Sequence, residues 1–283
     1  MQYLVTGATG DVGSKVVMRL LERGERPRVF VRDAEKARTI FADRVEIVTG
    51  DLADAASLRA AFAGIDAVFL VNSGPEIPQR DQIAARTAND SAVKRLVKLS
   101  SMDVEHGLAI GAWHERGEAA IRAAGIPFTF VRPTGFMSNL LAWSRSIKAE
   151  GVVRSSTADG RRAFIHSDDI AAVAVEALTS AQYEGRCLAI TGPEALSFAE
   201  VTSKIGAAIG KKLRFVAISD EEAGQRYAAA TGAPDVETEA HVALWRAIRE
   251  GTLGAVTDTV ERVLGRKPIA LDKWLAENAP AFC

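Results

Sequence analysis

The chain has 283 residues, of which 48% are hydrophobic and 25% are charged, so it can form one large folded domain or two small ones. Its 35 basic and 36 acidic side chains nearly cancel, and no dense run of Lys or Arg predicts nucleic-acid binding. Two distant cysteines, Cys187 and Cys283, indicate neither a disulfide framework nor a cysteine-based metal site.

The amino-terminal residues predict a cytoplasmic protein. Tyr3-Leu4-Val5-Thr6 has the composition of a β-strand, and no charged leader or cleavage site precedes it. No apolar run approaches the roughly 18 residues that a membrane-spanning helix needs. We therefore expect a monomer or homodimer that binds neither membranes nor nucleic acid.

Short β-rich runs alternate with segments of helical periodicity through the first 135 residues, which is typical of βαβ units. The predicted strands are Tyr3–Thr6, Arg28–Arg32, Val45–Thr49, Ala67–Val71, Leu96–Ser100 and Phe128–Arg132. The predicted helices are Lys15–Arg23, Ala34–Phe41, Ala55–Phe62, Gln79–Ala88 and Glu115–Ala124. Strands joined by helical crossovers predict an α/β fold with a Rossmann-type doubly wound parallel sheet.

The pattern loosens after residue 135. The predicted elements there are a helix, a strand, a second helix and a second strand, at Ile170–Leu178, Arg186–Thr191, Phe198–Ile209 and Leu213–Ala217, followed by a polar helical stretch. We expect a Rossmann domain over residues 1-135 and a smaller α+β substrate-binding lobe over residues 136-283. The lobe is expected to be partly interleaved with the first domain and packed against it around one cleft.

A glycine-rich turn lies between the first strand and the first helix, with the sequence Thr6-Gly7-Ala8-Thr9-Gly10-Asp11-Val12-Gly13. Glycine lets the backbone approach a pyrophosphate, and the free N–H groups at a helix start attract its charge. No Gly-Lys-Ser/Thr follows, so this turn is not a P-loop. The predicted cofactor-binding residues here are Thr6, Gly7, Thr9, Gly10, Asp11, Val12 and Gly13; an ordinary glycine turn is the alternative.

The end of the second strand predicts which dinucleotide is bound. An acidic residue at this position would bind the ribose hydroxyls of NADH, whereas Arg32 offers a planar cation to the 2′-phosphate of NADPH. Lys36 stands one helical turn further on and would support Arg32. Two alternatives stay open: Asp33 accepts a ribose hydroxyl, or Arg32 is simply a solvated strand end. The sequence therefore favours NADPH, with NADH possible.

The spacing Gly-x-x-Gly-x-x-Gly resembles that of the extended and atypical short-chain dehydrogenases/reductases. The resemblance implies that Asp51 and Leu52 bind the adenine, although Asp51 could equally cap a helix. It also implies that the backbone at Asn72 and Ser73 passes the nicotinamide ribose. After the sixth strand, the segment that begins with Pro133 and Thr134 is expected to pass the nicotinamide and to open into the substrate cleft.

Ordinary members of that superfamily reduce ketones with a Tyr-x-x-x-Lys pair, in which the lysine lowers the pKa of the tyrosine. The residues four positions after the three tyrosines of this chain are Gly7, Cys187 and Thr231, so the pair is missing. Alcohol dehydrogenation and sugar epimerisation by the usual mechanism are therefore disfavoured.

Three further segments resemble the NmrA-like branch, which includes quinone oxidoreductases, triphenylmethane-dye reductases and azoreductases. They are Trp113-His114-Glu115-Arg116-Gly117-Glu118, Gly125-Ile126-Pro127-Phe128-Thr129-Phe130-Val131-Arg132-Pro133 and Phe164-Ile165-His166-Ser167-Asp168-Asp169-Ile170-Ala171. The resemblance implies an NADPH-dependent reductase that transfers hydride to a conjugated, electron-poor small molecule of the quinone, azo or triarylmethane type. Such acceptors take hydride readily, so binding and orientation supply most of the catalysis.

His114 and Glu118 occupy the place of the missing pair, at i and i+4 on one helix face. We expect His114 to donate a proton or hydrogen bond, with Glu118 orienting it. A surface histidine beside a carboxylate is the alternative. Ser100, at the end of the fifth strand beside Ser101, is the third catalytic candidate and would hydrogen-bond a substrate carbonyl, unless it is an ordinary loop serine. His114-Glu115-x-x-Glu118 only partly matches a zinc motif, so no metal is predicted.

Phe136, Met137 and Trp143 offer a flat apolar surface to an aromatic substrate, although such a cluster is often simply core. His166 is expected to be structural, with Ser167 or Asp168 capping the helix that begins near Ile170.

Two other functions remain open. One is a redox sensor that binds NADP(H) without catalysis and regulates a partner, as the name-giving NmrA-like members do. The other is a benzylic-ether or isoflavone-type reductase, which would have a lysine on the helix after the fifth strand. No lysine occurs between Lys98 and Lys148, and this disfavours the second.

Overall fold

The computed structural model describes residues 1–283. Its strands are β1 (Tyr3–Thr6), β2 (Arg28–Val31), β3 (Glu46–Thr49), β4 (Ala67–Leu70), β5 (Arg95–Leu99), β6 (Phe128–Pro133), β7 (Val152–Ser155), β8 (Arg161–Arg162), β9 (Arg186–Ile190), β10 (Leu196–Ser197) and β11 (Arg214–Ala217). Its α-helices are α1 (Asp11–Glu22), α2 (Ala34–Phe41), α3 (Ala55–Phe62), α4 (Ile77–Asp90), α5 (Ala109–Ala123), α6 (Ser144–Glu150), α7 (Ser167–Thr179), α8 (Phe198–Ala208), α9 (Asp220–Thr231), α10 (Asp235–Arg249), α11 (Thr259–Leu264) and α12 (Leu271–Asn278). None of these helices has the length and apolar character required to cross a bilayer.

Seven strands form the main sheet, in the order β3-β2-β1-β4-β5-β6-β9. The pairs among the first six of these strands are parallel. The chain reverses its direction of travel across the sheet between β1 and β4, and ligands of open α/β sheets bind at such a switch point, beyond the carboxyl ends of the strands. The predicted Rossmann-type doubly wound sheet is confirmed.

The first compact unit comprises Met1–Met102, Ala112–Pro133 and Ser167–Ala189. All residues of β1 and β4 are buried, as expected for central strands of a parallel sheet with helices on both faces. One core cluster joins the sheet to α3, α4 and α5 and includes Leu4, Phe30, Leu58, Phe62, Leu96, Ile121 and Phe130. On α7, ten of the thirteen residues are buried, and this helix packs on α1, β4, β5 and β6.

The second unit comprises Asp103–Gly111, Thr134–His166 and Ile190–Cys283. It contains a parallel pair, β7 with β11, and an antiparallel pair, β8 with β10. Ser197 and Glu200 start α8 with a reciprocal capping box, which satisfies two backbone N–H groups at the helix start. The core of this unit includes Met137, Leu140, Phe164, Phe198, Trp274 and Phe282.

Several predicted elements differ from those observed. The strand predicted at Arg186–Thr191 is the seventh strand of the main sheet, where β9 lies beside β6. Helix α1 begins at Asp11 rather than Lys15, and its first turns include Gly13, a poor helix former that packs closely against the preceding turn. The start predicted near Ile170 is wrong, since α7 already includes Ser167, whose hydroxyl donates to the Asp11 carboxylate.

Candidate cofactor site and active site

The glycine turn brings the end of β1 and the start of α1 against each other. Gly7 has a φ of +59°, a left-handed conformation that favours glycine, and a Cβ there would lie 3.0 Å from Val71 Cβ. A Cβ on Gly13 would lie 2.2 Å from the Gly7 carbonyl oxygen, so only glycine allows this packing. Gly10 precedes α1 without a side-chain capping bond, which leaves N–H groups of the first turn available to a phosphate.

A cavity of about 270 Å³ lies beyond these strand ends in the first unit. Eight of its lining residues are predicted cofactor ligands: Thr6, Gly7, Thr9, Arg32, Asp51, Leu52, Asn72 and Ser73. The other five lining residues were not among the predicted ligands: Phe30, Val31, Gly50, Val71 and Arg80. Val31, Gly50 and Val71 each precede a predicted ligand at a strand end, and Phe30 lies two residues before Arg32. Arg80 lies in α4, and no local sequence signal assigns it.

The cavity wall has a free cation where the second strand ends. Arg32 is exposed and makes no ion pair or side-chain hydrogen bond, whereas Asp33 caps α2 by accepting from the backbone N–H of Lys36 at 3.0 Å. This bond occupies one oxygen of the Asp33 carboxylate and fixes it at the start of α2, and Asp33, unlike Arg32, does not line the cavity. Lys36 itself is exposed in the first turn of α2 and does not line the cavity.

Asp51 is not a helix cap. The N-cap of α3 is Asp54, which accepts from the N–H groups of Ala56 and Ser57, while Asp51 accepts one bond of 2.8 Å from Ala53 N–H. The neighbouring Gly50 leaves space for Phe30, because a Cβ there would lie 2.5 Å from the Phe30 ring. This geometry leaves Asp51 available to a bound adenine.

Two of the predicted ligands, Thr6 and Asn72, also form hydrogen bonds within the site. The Thr6 hydroxyl accepts from Val71 N–H at 2.7 Å and lies 3.3 Å from the Phe69 carbonyl oxygen, which ties β1 to the end of β4. Asn72 accepts from Ser73 N–H at 2.9 Å. Because the Thr6 hydroxyl is already engaged, its direct contribution to ligand binding would come through the backbone.

The remaining predicted cofactor residues do not line the cavity: Gly10, Asp11, Val12, Gly13, Lys36, Pro133 and Thr134. Val12 and Pro133 are buried, and the N–H of buried Thr134 donates to Ile190 O at 3.1 Å. Gly10 and Asp11 are exposed at the start of α1.

Glu118 is fully buried, and its partners differ from the expected one. It accepts from the Ser100 hydroxyl at 2.6 Å and from Arg132 Nε at 2.9 Å, and its second oxygen lies 3.2 Å from an Arg122 nitrogen. No hydrogen bond joins it to His114. The two neighbouring strands β5 and β6 bring Ser100 and Arg132 to the carboxylate, so Glu118 holds them together.

His114 is half-buried and lies near the Lys98 side chain. Burial, and secondly the nearby Lys98 ammonium, lower the pKa of His114 well below its usual 6.5. Its Nδ1 is buried without a hydrogen-bond partner. Lys98 forms a fully buried ion pair with Asp81 at 2.6 Å, and Gly117 makes room for this pair because a Cβ there would lie 2.2 Å from Asp81 Oδ2. His114 is therefore a neutral imidazole at neutral pH.

Of the three predicted substrate residues, only Trp143 lines a cavity. Met137 is 1% exposed and belongs to the core of the second unit, and Phe136 is half-buried in a bridge to Ile165. Trp143 lines a second cavity, within the second unit, with its ring centroid 5.3 Å from that of Phe198. His166 is 4% exposed, with its Nε2 3.8 Å from a Glu277 oxygen.

Comparison with known proteins identifies relatives over the full length of the chain. An NAD(P)H-binding family model matches residues 7–181. The chain is 40% identical to a (4-alkanoyl-5-oxo-2,5-dihydrofuran-3-yl)methyl phosphate reductase of Streptomyces griseus, covering 99% of this chain and 98% of the relative. It is 36% identical to the NAD(P)H azoreductase of Xenophilus azovorans, again covering 99% and 98%.

The solved structure of a Citrobacter sp. triphenylmethane reductase superposes with a TM-score of 0.87 at 25% identity, covering 99% of each chain. These matches, together with the glycine turn and the cavity beside it, place the protein among the reductases of this fold. The chain belongs to the NAD(P)H-binding family and is an NAD(P)H-dependent oxidoreductase.

Proposed function

We propose that the protein is an NADPH-dependent reductase that passes hydride to a conjugated, electron-poor acceptor of the quinone, azo or triarylmethane type. The observation that carries the cofactor choice is Arg32, a partnerless guanidinium at the cavity, beside an Asp33 carboxylate engaged in capping α2. A guanidinium matches the geometry of a phosphate, whereas a free carboxylate would repel the 2′-phosphate of NADPH.

The names of the relatives support the class of acceptor. The Streptomyces enzyme is named for a furanone with an acyl substituent, and the Xenophilus enzyme for azo compounds. Both are conjugated molecules that accept hydride without the strong acid assistance a simple ketone requires. A chain without a Tyr-x-x-x-Lys pair is compatible with such substrates.

Bound NADPH would supply the hydride, and the residues of the chain would bind and orient the reactants. The Ser100 hydroxyl donates its proton to Glu118 and Ser100 lines neither cavity, so it is not available to donate to a substrate carbonyl. Neutral His114 is a poor proton donor at neutral pH. The proton that completes the reduction would therefore come from water.

Purified protein mixed with NADPH or NADH and a panel of quinones, azo dyes and triarylmethane dyes tests the proposal. The expected result is saturable cofactor oxidation with NADPH preferred, scored against reactions without protein. Tight binding of NADP(H) with no oxidation of NADPH by any acceptor would overturn the reductase and favour the redox sensor. Turnover with NADH preferred would overturn the assignment of Arg32.

A further inference from the structure

The cavity of the second unit has an aromatic wall. Its volume is about 410 Å³, within the range of small-molecule sites. Six rings line it: Trp143, Phe164, Phe198, Tyr227, His241 and Trp245. Phe164 and Phe198 have centroids 5.6 Å apart, and those of Tyr227 and His241 are 4.2 Å apart. Such a surface suits a flat conjugated ring system.

Arg162 is the one lysine or arginine that lines this cavity, and most of its donors are unused. The residue is 5% exposed, and of its five N–H groups only one at Nη2 has a partner, an Asp103 oxygen at 3.2 Å. The Nε is buried without a hydrogen-bond partner. A buried donor without a partner is unfavourable, so this guanidinium would gain from the oxygen atoms of a ligand.

Two neighbouring residues show that this arrangement is specific to Arg162. Gly135, which also lines the cavity, allows the close approach, because a Cβ there would lie 2.6 Å from Arg162 Nε. Arg161, the preceding residue of β8, does not line the cavity; it binds Ala195 O at 3.0 Å and Glu200 at 2.8 Å. Arg161 therefore provides a matched control.

The rest of the wall carries no formal negative charge. No Asp or Glu lines the cavity. His241 Nδ1 lies 2.9 Å from Glu237 O, a carbonyl that can only accept, so Nδ1 bears a proton, and Nε2 lies 3.2 Å from the Tyr227 hydroxyl. Burial, and secondly the Glu237 carboxylate, raise the pKa of Tyr227 to about 12, which keeps this phenol neutral. An anion entering the cavity would meet no lining carboxylate, because the Asp103 carboxylate, which forms an ion pair with Arg162, does not line it.

We propose that this cavity binds the acceptor as a flat conjugated acid, with carboxylate, sulfonate or phosphate oxygens on the unused N–H groups of Arg162 and the ring system on the aromatic wall. The inference rests on the proposed function only in taking the bound acid as the molecule that is reduced. Binding itself requires no turnover and can be measured separately.

Calorimetry with naphthalene-2-sulfonate and its neutral analogue naphthalene-2-sulfonamide tests the binding. The native protein is expected to bind the sulfonate at least tenfold more tightly. Arg162→Met should remove that preference. The affinity for the sulfonate is expected to fall by about 10- to 100-fold, and the affinity for the sulfonamide to change by less than about twofold. Arg161→Met should leave both affinities unchanged.

Equal affinity of the native protein for both probes would overturn the inference, whatever the variants do. So would an Arg161→Met variant that loses as much preference as Arg162→Met. If Arg162→Met fails to fold, Arg162→Lys is measured instead; it retains the charge without the fork of donors and is expected to keep only part of the preference.

Turnover separates this inference from the proposed function. With NADPH as the hydride source, the KM for 1,2-naphthoquinone-4-sulfonate should be lower than the KM for 1,2-naphthoquinone. Arg162→Met should raise the KM for the sulfonated quinone only. If the protein binds the sulfonate more tightly than the sulfonamide but oxidises no NADPH, the proposed reductase function is wrong and the proposed acid-binding site stands. If both quinones are reduced with equal KM, the proposed acid-binding site is wrong and the proposed reductase function stands.

Discussion

The Ser100 hydroxyl donates a hydrogen bond of 2.6 Å to the buried carboxylate of Glu118. Ser100 follows β5, and Glu118 lies in the helix that crosses from β5 to β6. With Arg132 on β6 bound to the same carboxylate at 2.9 Å, the bond joins three elements at one point. Glu118 thus positions Ser100 and supports the fold, and it is not the partner of His114.

Removing the charge of Glu118 should destabilise the protein. In Glu118→Gln, Arg132, whose side chain is 11% exposed, and Arg122 both lose an ion pair with this carboxylate. We expect a loss of about 3 kcal/mol in the free energy of unfolding, measured with urea, because the carboxylate is fully buried and its charge holds two guanidinium groups. Glu115→Gln, an exposed change on the same helix, should stay within about 0.5 kcal/mol. Equal stability of the two variants would contradict this role.

The cofactor preference should depend on Arg32. In Arg32→Ala, the Kd for NADPH is expected to rise about tenfold to a hundredfold, while the Kd for NADH changes little, because only NADPH has the 2′-phosphate. Titration calorimetry with both cofactors measures this. Arg38→Ala is the control, since Arg38 lies on α2 in an exposed ion pair with Glu35 and does not line the cavity. An equal loss for both cofactors would remove the argument for NADPH.

The neutral state of His114 should make stability depend on pH. The folded-state pKa of His114 is well below 6.5, so as the pH falls through 6.5 the unfolded chain takes up a proton that the folded chain does not. The contribution of neutral His114 to the free energy of unfolding is complete above pH 6.5. It decreases as the pH falls from 6.5 to the pKa of His114 in the folded protein. Between pH 7.5 and 5.5, we expect the free energy of unfolding to decrease less in His114→Asn than in the native protein.

Nuclear magnetic resonance titration of the His114 ring provides the direct measurement of its pKa. A pKa at or above 6.5 in the folded protein would contradict the assignment, and so would identical pH dependence of stability in the two proteins.

The Lys98–Asp81 pair should show strong coupling. Lys98→Met leaves a fully buried carboxylate without its counter-ion and is expected to cost about 3–5 kcal/mol of unfolding free energy. Adding Asp81→Asn should recover a large part of that loss, because no buried charge then remains. Lys94→Met removes an ammonium that is 70% exposed beside Asp66, and should cost less than about 1 kcal/mol. Additive losses in the double variant would exclude the coupling.

The sequence alone predicts the features that depend on local pattern. Hydrophobic runs alternating with helical periodicity predict a parallel sheet, and the glycines that follow the first strand predict the phosphate turn. Arg32 is predicted because its role depends only on its place at a strand end. Eight of the predicted cofactor residues line the observed cavity for the same reason.

The tertiary structure decides which distant residues meet. The i, i+4 spacing in the sequence lets Glu118 face His114. In the structure, strands β5 and β6 lie side by side and bring Ser100 and Arg132 to the Glu118 carboxylate instead. Arg162 and Arg161 are the same residue type, and only the fold of the second unit places Arg162 beside an aromatic cavity with most of its donors unused. Periodicity reports which face of an element is buried; strand order and side-chain packing determine what lies opposite that face.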